Sequence, residues 1–172
     1  MELTVVPCEA ERLSELFRLR ASVWVEEGAN ASAFPAGSWS DAADADRTHW
    51  MVLDQGRIVA GASLGLHDTL ADLDEPEAYL SIPAPPPGII AAPQRVVVDR
   101  QYRGRGIAAA LLDAQDRASK EAGAVIAVRQ ASPAMKRILD RRGWRDHGPG
   151  PMDPRFPGIQ FTVMSLLISD AV

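Results

Sequence analysis

The order of apolar and polar residues divides the first half of the chain into strand-like and helix-like segments. A short apolar run at residues 3–6 predicts a first strand. A helical periodicity follows it, and Gly28 is the expected end of that helix. The residues that carry this periodicity are Leu13, Leu16, Phe17, Leu19 or Arg20, Val23 and Trp24.

Two apolar runs in the middle of the chain, residues 50–53 and 58–66, predict a β-hairpin. Between them lies an Asp-Gln-Gly-Arg turn, in which Gly56 can supply the positive φ of a tight connection. The flanking segments are small and acidic at 29–47 and rich in acids and prolines at 68–88. Both compositions predict irregular surface segments with at most a short helical turn.

The second half predicts a strand at residues 95–98, an amphipathic helix at 107–121 and a strand at 124–128. The buried face expected for that helix consists of Ile107, Leu111, Ala114, Ala118 and Ala122. Ser132 and Pro133 predict the N-cap and first residue of another helix, and residues 159–168 predict a last strand. This order predicts a mixed α/β (α+β) domain, with one sheet and a central β-α-β unit, over residues 1–172 as a single domain.

Composition and charge narrow the function of this domain. The chain has 172 residues, is 47% hydrophobic and carries a net charge of −5, so neither nucleic acid nor a membrane is expected as a partner. The start lacks a signal-peptide pattern, and no apolar run reaches the length of a membrane span, so the expected location is cytoplasmic. A single cysteine and three separated histidines predict no disulfide framework and no metal site.

A basic, glycine-rich segment stands out on this acidic chain. Arg103, Gly104, Arg105 and Gly106 lie between the predicted strand at 95–98 and the predicted helix. The first amides of a helix lack intrahelical acceptors and carry the positive end of its dipole, and glycines let a ligand approach the backbone closely. The segment therefore predicts a diphosphate-binding loop, although a surface turn with solvated arginines has the same composition.

Two familiar phosphate-binding designs fit this segment poorly. A P-loop needs Gly-Lys-Ser/Thr at its end, and that sequence is absent. Gly104, Gly106 and Ala109 formally match a dinucleotide fingerprint. However, five residues separate Val98 from Gly104, and the next strand ends in Arg-Gln instead of an acid, which disfavours a nicotinamide-dependent oxidoreductase.

The stretch VVVDRQYRGRGIAAALL resembles the signature of the GNAT superfamily of acyl-CoA-dependent N-acyltransferases. The core pattern of that signature, Arg/Gln-x-x-Gly-x-Gly/Ala, is met by Arg103, Gly106 and Ala108. The family's helix ending in Gly-Phe has its counterpart in the helix before Gly143-Trp144. The similarity extends over nearly the whole chain, and implies the GNAT fold: a mixed, mostly antiparallel central sheet flanked by helices, with a β-α-β cofactor-binding unit.

The resemblance implies transfer of an acetyl group from acetyl-CoA to a primary amine of a small-molecule or peptide acceptor, by direct attack and without a metal. It implies that the loop amides hold the pyrophosphate, and that an amide of the strand at 96–98 polarises the thioester carbonyl. Ser132 is the nearest polar substitute for an asparagine of the family. The implied cofactor-binding residues are Val96, Val97, Val98, Arg103, Gly104, Arg105, Gly106, Ile107, Ala108 and Ser132.

The catalytic residues depart from the family pattern. The position of the usual tyrosine acid is Leu139, and the only tyrosines, Tyr79 and Tyr102, lie elsewhere in the sequence. His67 and Glu27 are the candidates for the general base, since they end the elements expected to border the acceptor cleft. Each of them also suits a solvated surface position.

Other functions remain open from the sequence. The segments RLRASVW and DADRTHW distantly resemble acyl-homoserine-lactone synthases, which would imply a longer acyl donor. The missing tyrosine also suits a non-catalytic acyl-CoA-binding sensor or interaction domain. A homodimer is a further open alternative.

Overall fold

The structure, a computed structural model, describes residues 3–168. Its α-helices are α1 (Leu13–Glu26), α2 (Ile107–Glu121) and α3 (Pro133–Arg141). Its strands are β1 (Val5–Pro7), β2 (Thr48–Asp54), β3 (Arg57–His67), β4 (Ile89–Val98), β5 (Ala124–Ala131), β6 (Arg145–Pro149) and β7 (Thr162–Leu167). Within the described residues, no helix has the length and apolar character that a membrane crossing requires.

The strands form one seven-stranded sheet in the order β1-β2-β3-β4-β5-β7-β6. The pairs β1–β2, β2–β3, β5–β7 and β6–β7 are antiparallel, whereas β4 and β5 are parallel and are joined through α2. The predicted mixed sheet with its central β-α-β unit is therefore confirmed. The strand β6 was not predicted, because its sequence Arg-Asp-His-Gly-Pro has no apolar alternation and it lies at the edge of the sheet.

The described residues divide into two compact units, the first comprising residues 3–64 and 95–117, and the second comprising 65–94 and 118–168. In the first unit, side chains of β2 and β3 pack with those of α2. This core consists of Val52, Val59, Ala60, Ala62, Ile107 and Leu111. The predicted hairpin turn is present, with positive φ angles at both Gln55 (48°) and Gly56 (79°).

In the second unit, the proline-rich segment contributes to a core. Leu73, Tyr79 and Ile82 are buried against Ile126 of β5 and Val163 of β7. The prediction of a purely surface segment at 68–88 was wrong, because its apolar residues alternate with acids and prolines too irregularly to show a period.

Two further local predictions need correction. β4 begins at Ile89 and not at Arg95, and it contains Pro93. The buried residues of α2 are Ile107, Leu111, Leu112, Gln115 and Ser119. The predicted face named three alanines that are only partly buried, and it omitted Leu112, Gln115 and Ser119. Gln115 is buried because its Nε2 donates to the carbonyl of Ser63 at 2.7 Å.

Candidate functional site

The glycine-rich loop leaves β4 through a short turn and ends at the start of α2. The carboxylate of Asp99 accepts a hydrogen bond from the amide of Gln101 at 3.0 Å and so begins this turn. Gly104 and Gly106 have φ angles of 76° and 79°, which favour glycine. A Cβ atom at either glycine would meet nothing within 4 Å, so the space beside the loop backbone is open in the described part of the chain.

The backbone direction makes this open space suitable for an anion. α2 begins at Ile107, so the amides of Ile107 and Ala108 belong to the first helical turn, where the i−4 carbonyl acceptor is missing. These amides carry the positive end of the dipole of a 15-residue helix. The loop can therefore bind a phosphate or pyrophosphate through its backbone.

Two arginine side chains face the ring of Tyr102, which lies just before the loop. The guanidinium of Arg105 lies 4.9 Å from the centre of the Tyr102 ring, and that of Arg57 lies 5.6 Å from it. The hydroxyl of Tyr102 donates to Asp54 Oδ2 at 2.5 Å. Tyr102 therefore supports Arg105, and its proton is engaged by Asp54.

Glu27, one of the two predicted bases, pairs with the loop. Arg103 Nη1 donates to Glu27 Oε1 at 2.6 Å, and the two side chains are 42% and 45% exposed. Glu27 is the residue directly after α1, so this ion pair connects the end of α1 to the first residue of the predicted motif. The carboxylate of Glu27 thus has a cationic partner before any substrate arrives.

The end of β4 carries an irregular backbone beside the residues expected to face the thioester. Val97 is buried, and Val96 and Val98 pack against the core of the first unit. Arg95 has a φ of 60°, which interrupts the extended conformation just before Val96. Such an interruption turns peptide groups away from the regular ladder of a strand. The parallel pairing with β5 runs from Ile89–Ala124 to Ala91–Ala127, upstream of this point.

A buried ionic cluster lies in the same unit. Arg20 on α1 is 0% exposed, and its Nη1 donates to Asp44 Oδ1 at 3.0 Å. Arg47 Nη1 donates to the same oxygen at 3.0 Å. His49 Nε2 lies 2.8 Å from the carbonyl of Asp44, and its Nδ1 lies 3.2 Å from Arg20 Nη2. Because an arginine can only donate, Nδ1 is the acceptor and Nε2 carries the proton, so His49 is neutral.

This cluster extends to Arg95 through a shared carboxylate. Asp41 Oδ2 accepts from Arg95 Nη2 at 2.7 Å, and Asp41 Oδ1 accepts from Arg47 Nη1 at 3.2 Å. The Arg95 guanidinium lies 3.9 Å from the centre of the Trp39 ring. The segment at 29–47, predicted to be a surface loop, therefore supplies partners to buried arginines.

Burial and charge shift the titration of this cluster in a consistent way. Burial is the largest single influence on Asp44 and opposes its ionisation. The charge of Arg20, the hydrogen bonds to the carboxylate and the charge of Arg47 together outweigh burial, and the pKa of Asp44 is lowered. Burial lowers the pKa of His49, and the charge of Arg20 adds to this effect. Burial, followed by the charge of Arg20, lowers the pKa of Arg95 to about 10. The cluster holds its charges because they are paired.

His67, the other predicted base, belongs to the second unit. It ends β3 and lines an open cleft of about 400 Å³ together with Leu66, Asp68, Asp72 and Ile89. A Cβ atom on Gly65 would lie 2.8 Å from His67 Nε2, so the glycine leaves room for the ring. His67 is thus a half-buried imidazole at a surface cleft.

The remaining predicted residues of the second unit have structural contacts. Ser132 Oγ accepts from the amide of Met135 at 3.3 Å and caps α3. Leu139 is 0% exposed in the same helix, so its side chain belongs to the interior. Tyr79 is buried, and this burial raises its pKa to about 12.

The structure thus groups Glu27, the end of β4 and the glycine-rich loop in the first unit, and His67, Ser132 and Leu139 in the second. Sequence reasoning missed the buried cluster of Arg20, Asp44 and His49. One signal was present: Arg20 follows Leu16 by four residues and precedes Val23 by three, so it occupies the apolar face of α1. Among residues 3–168, no group of acids, histidines and cysteine is arranged to hold a metal ion.

Comparison with known proteins adds family and fold information to this geometry. The family model described as the acetyltransferase (GNAT) family matches residues 11–144. No curated protein matches the chain significantly in sequence.

Solved structures resemble the fold at low sequence identity. The structure of yncA, a putative acetyltransferase from Salmonella typhimurium solved with its cofactor acetyl-CoA, has a TM-score of 0.68 at 15% identity, over 100% of this chain and 97% of that one. The AHL synthase LasI has a TM-score of 0.72 at 16% identity, and the match covers 96% of this chain and 90% of that one. The CoA-dependent acyl-homoserine lactone synthase BjaI was solved with SAM and isopentyl-CoA. It has a TM-score of 0.72 at 17% identity, and the match covers 98% of this chain and 84% of that one. At these identities the likeness is one of fold.

Proposed function

The chain belongs to the acetyltransferase (GNAT) family of acyltransferases, and from this premise we propose that it transfers an acetyl group from acetyl-CoA to a primary amine. The observation that carries the proposal is the open glycine-rich loop at the start of α2. The amides of this loop suit the pyrophosphate of coenzyme A, and Arg103 and Arg105 suit further phosphate oxygens. The acetyl-CoA complex of the similar yncA structure supports this choice of donor.

In the proposed reaction, the acceptor nitrogen attacks the thioester carbon, and the carbon–sulfur bond breaks as the amide bond forms. An amide at residues 96–98 stabilises the oxyanion, because the irregular backbone at Arg95 turns peptide groups away from the strand ladder. The acceptor loses one proton and the thiolate can gain one. The residues of this chain have to receive the first proton and exclude competing water.

We keep His67 and Glu27 as the two candidates for the residue that receives the first proton. The carboxylate of Glu27 is held by Arg103 at 2.6 Å, so Glu27 is better suited to positioning Arg103 beside the phosphates. His67 lines an open cleft in the second unit. We expect His67→Ala to lower kcat about 100-fold with unchanged acetyl-CoA affinity, and Glu27→Gln to weaken acetyl-CoA binding with nearly unchanged kcat. The reverse pattern would make Glu27 the base.

The leaving thiolate needs no tyrosine in this proposal. Leu139 is buried and aliphatic, the Tyr102 hydroxyl is engaged by Asp54, and the pKa of Tyr79 is raised to about 12. Thiols are acidic enough to leave as thiolate and take a proton from water. We expect the alkaline side of the pH–rate profile to be the same in the parent, in Tyr79→Phe and in Tyr102→Phe. An alkaline limb that is present in the parent and disappears in either variant would identify a tyrosine acid.

The loop assignment is tested by ligand-dependent thermal shift with acetyl-CoA, and with NADP as a negative control. A ligand that binds only the folded state raises its melting temperature. Gly106→Ala is expected to remove the acetyl-CoA shift. Gly123→Ala is the matched control, because Gly123 has a φ of 77° and also faces no atom within 4 Å. Both variants carry the same backbone strain, so an equal loss in both would refute the loop as the binding site.

A longer acyl donor is the second candidate function, and the fold likeness to LasI and BjaI favours it. A series of acyl-CoAs of increasing chain length distinguishes the two, with release of free thiol as the readout. Highest kcat/KM with acetyl-CoA supports acetyl transfer, whereas a maximum at a longer chain supports the second candidate. Binding of acyl-CoA without release of thiol for any amine tested would indicate an acyl-CoA sensor. We further propose that the protein acts in the cytoplasm as a single domain, on small-molecule or peptide amines.

A further inference from the structure

Arg95 combines an unusual backbone with a buried charge. Its φ of 60° lies in the left-handed region, which arginine rarely adopts, inside the strand β4. Its side chain is only 10% exposed. A strained position that also buries a charge persists only where its surroundings or a ligand compensate for both.

The compensation present in the first unit is incomplete. Arg95 Nη2 donates to Asp41, but Arg47 draws on the other oxygen of the same carboxylate. The Trp39 ring covers the guanidinium at 3.9 Å without offering a hydrogen-bond acceptor in its plane. Nη1 of Arg95 is buried and finds no hydrogen-bond partner among the described residues. A buried cationic donor without an acceptor is a rare feature that calls for one.

The position of Arg95 relates this donor to the proposed reaction. Arg95 directly precedes residues 96–98, where the thioester carbonyl is expected. At about 3.3 Å per residue it lies roughly 10 Å along β4 from Val98, and the phosphate loop begins only beyond that end. An anion that binds Nη1 would therefore lie near the acyl group and away from the phosphates held by that loop.

We propose that the acceptor amine also carries a carboxylate, and that the Arg95 guanidinium binds this carboxylate through Nη1. The proposal rests on the proposed acyltransferase function. Asp41 and Trp39, which contact the Arg95 side chain, belong to the segment 29–47; Asp41 is exposed and Trp39 is partly exposed. Because the Trp39 ring covers the guanidinium, the proposal requires this ring to shift when the ligand binds. An arginine then holds the carboxylate with a charge-assisted hydrogen bond and so orients the neighbouring amine.

The alternative is that Arg95 only positions the backbone of β4. Glycine separates the two roles, because it adopts the same φ without strain and has no guanidinium. If Arg95 only sets the backbone, Arg95→Gly keeps the selectivity for acceptors. If Arg95 binds the carboxylate, Arg95→Gly loses the selectivity for acceptors.

The experiment compares each common amino acid with its carboxamide as acceptor for the full chain, with acetyl-CoA as donor. We expect the acids to exceed their amides about 10-fold or more in kcat/KM for at least one side chain. Arg95→Gly and Arg95→Gln should abolish this preference, mainly through KM, with acetyl-CoA affinity unchanged. Arg18→Gln, which removes an exposed arginine of α1, should retain it.

A parallel thermal-shift series with the same acids and amides detects binding without turnover. No preference for any acid in either assay overturns the inference, and so does a preference that survives in Arg95→Gly. Failure of the proposed function looks different: acetyl-CoA would neither bind nor release thiol with any amine. Thiol release without a preference for acids contradicts only the carboxylate anchor.

Discussion

At the scale of single residues, the first unit depends on charges that are removed from water. Arg20 and Asp44 are both nearly or fully buried and bond at 3.0 Å. Taking two charges out of water opposes folding, and only their mutual attraction and hydrogen bonds offset this cost. Removal of Asp44 therefore takes the carboxylate away from Arg20, and removal of Arg20 leaves Asp44 paired with Arg47.

Arg20→Met is expected to lower the free energy of unfolding by about 3 kcal/mol, because it removes one of the two buried arginines that pair with Asp44 and leaves the carboxylate with Arg47. Chemical denaturation measures this change. Arg18→Met removes an exposed arginine from the same helix and should alter stability by no more than about 0.5 kcal/mol. Equal effects of the two substitutions would contradict a structural role for the buried pair.

The neutral His49 predicts a loss of stability in mild acid. Its pKa is lowered in the folded state, so between the folded and unfolded values the unfolded chain binds more protons. Stability is therefore full above about pH 6.5, the ordinary histidine value, and falls as the pH decreases toward the folded value. In His49→Gln the slope of stability between pH 7 and pH 5 should decrease.

The matched control is His147→Gln, because burial lowers the pKa of His147 as well. His147 is partly exposed and bonds with Ser165, so its removal should leave most of the slope. An unchanged slope in His49→Gln would show that His49 is not the residue that titrates.

At the scale of elements, the β2–β3 turn has one residue that suits its backbone poorly. Gln55 has a φ of 48°, beside Gly56. Asn-Gly is the favoured pair for such two-residue turns, since asparagine tolerates the left-handed region better than glutamine. Gln55→Asn should raise the free energy of unfolding by about 0.5 kcal/mol, measured by urea denaturation. Unchanged or lower stability would mean that this turn is not strained at Gln55.

The start of α3 offers a test that separates stability from ligand binding. Ser132 caps this helix, so Ser132→Ala should cost about 1 kcal/mol of stability, and Ser132→Asp should retain the cap. If Ser132 also contacts the donor, as the resemblance to the family implies, Ser132→Ala weakens acetyl-CoA binding beyond the change in stability. Parent-like affinity in Ser132→Ala would restrict the residue to its structural role.

At the scale of the whole molecule, the boundaries between the two units fall inside β3, β4 and α2. Because these elements are continuous in the chain, we propose that the protein unfolds as one cooperative domain. Thermal unfolding followed by far- and near-ultraviolet circular dichroism should give coincident transitions. Acetyl-CoA at about 100 times its Kd should stabilise the whole transition by about 2.7 kcal/mol. Two separate transitions, only one of them sensitive to acetyl-CoA, would contradict a single domain.

The sequence by itself determined the features that depend on neighbours along the chain. The bounds of α2, the cap at Ser132, the positive φ at Gly56 and the glycine-rich loop all follow from local spacing, because helix periodicity and turn geometry act over a few residues. The resemblance of that loop to the family signature also indicated the fold correctly, and the family match over residues 11–144 confirms it.

The tertiary structure alone decided which distant side chains meet. Glu27 pairs with Arg103, and His49 is held in its neutral tautomer by Arg20. Arg95, with its left-handed backbone, bonds to Asp41. In each case the two partners lie far apart in the sequence. From the local sequence, an arginine in an apolar stripe or before an apolar run is expected at the surface. The carboxylate that allows its burial comes from another segment, so the local sequence does not reveal it. Pairing across the chain depends on how strands align, and no local period records that alignment.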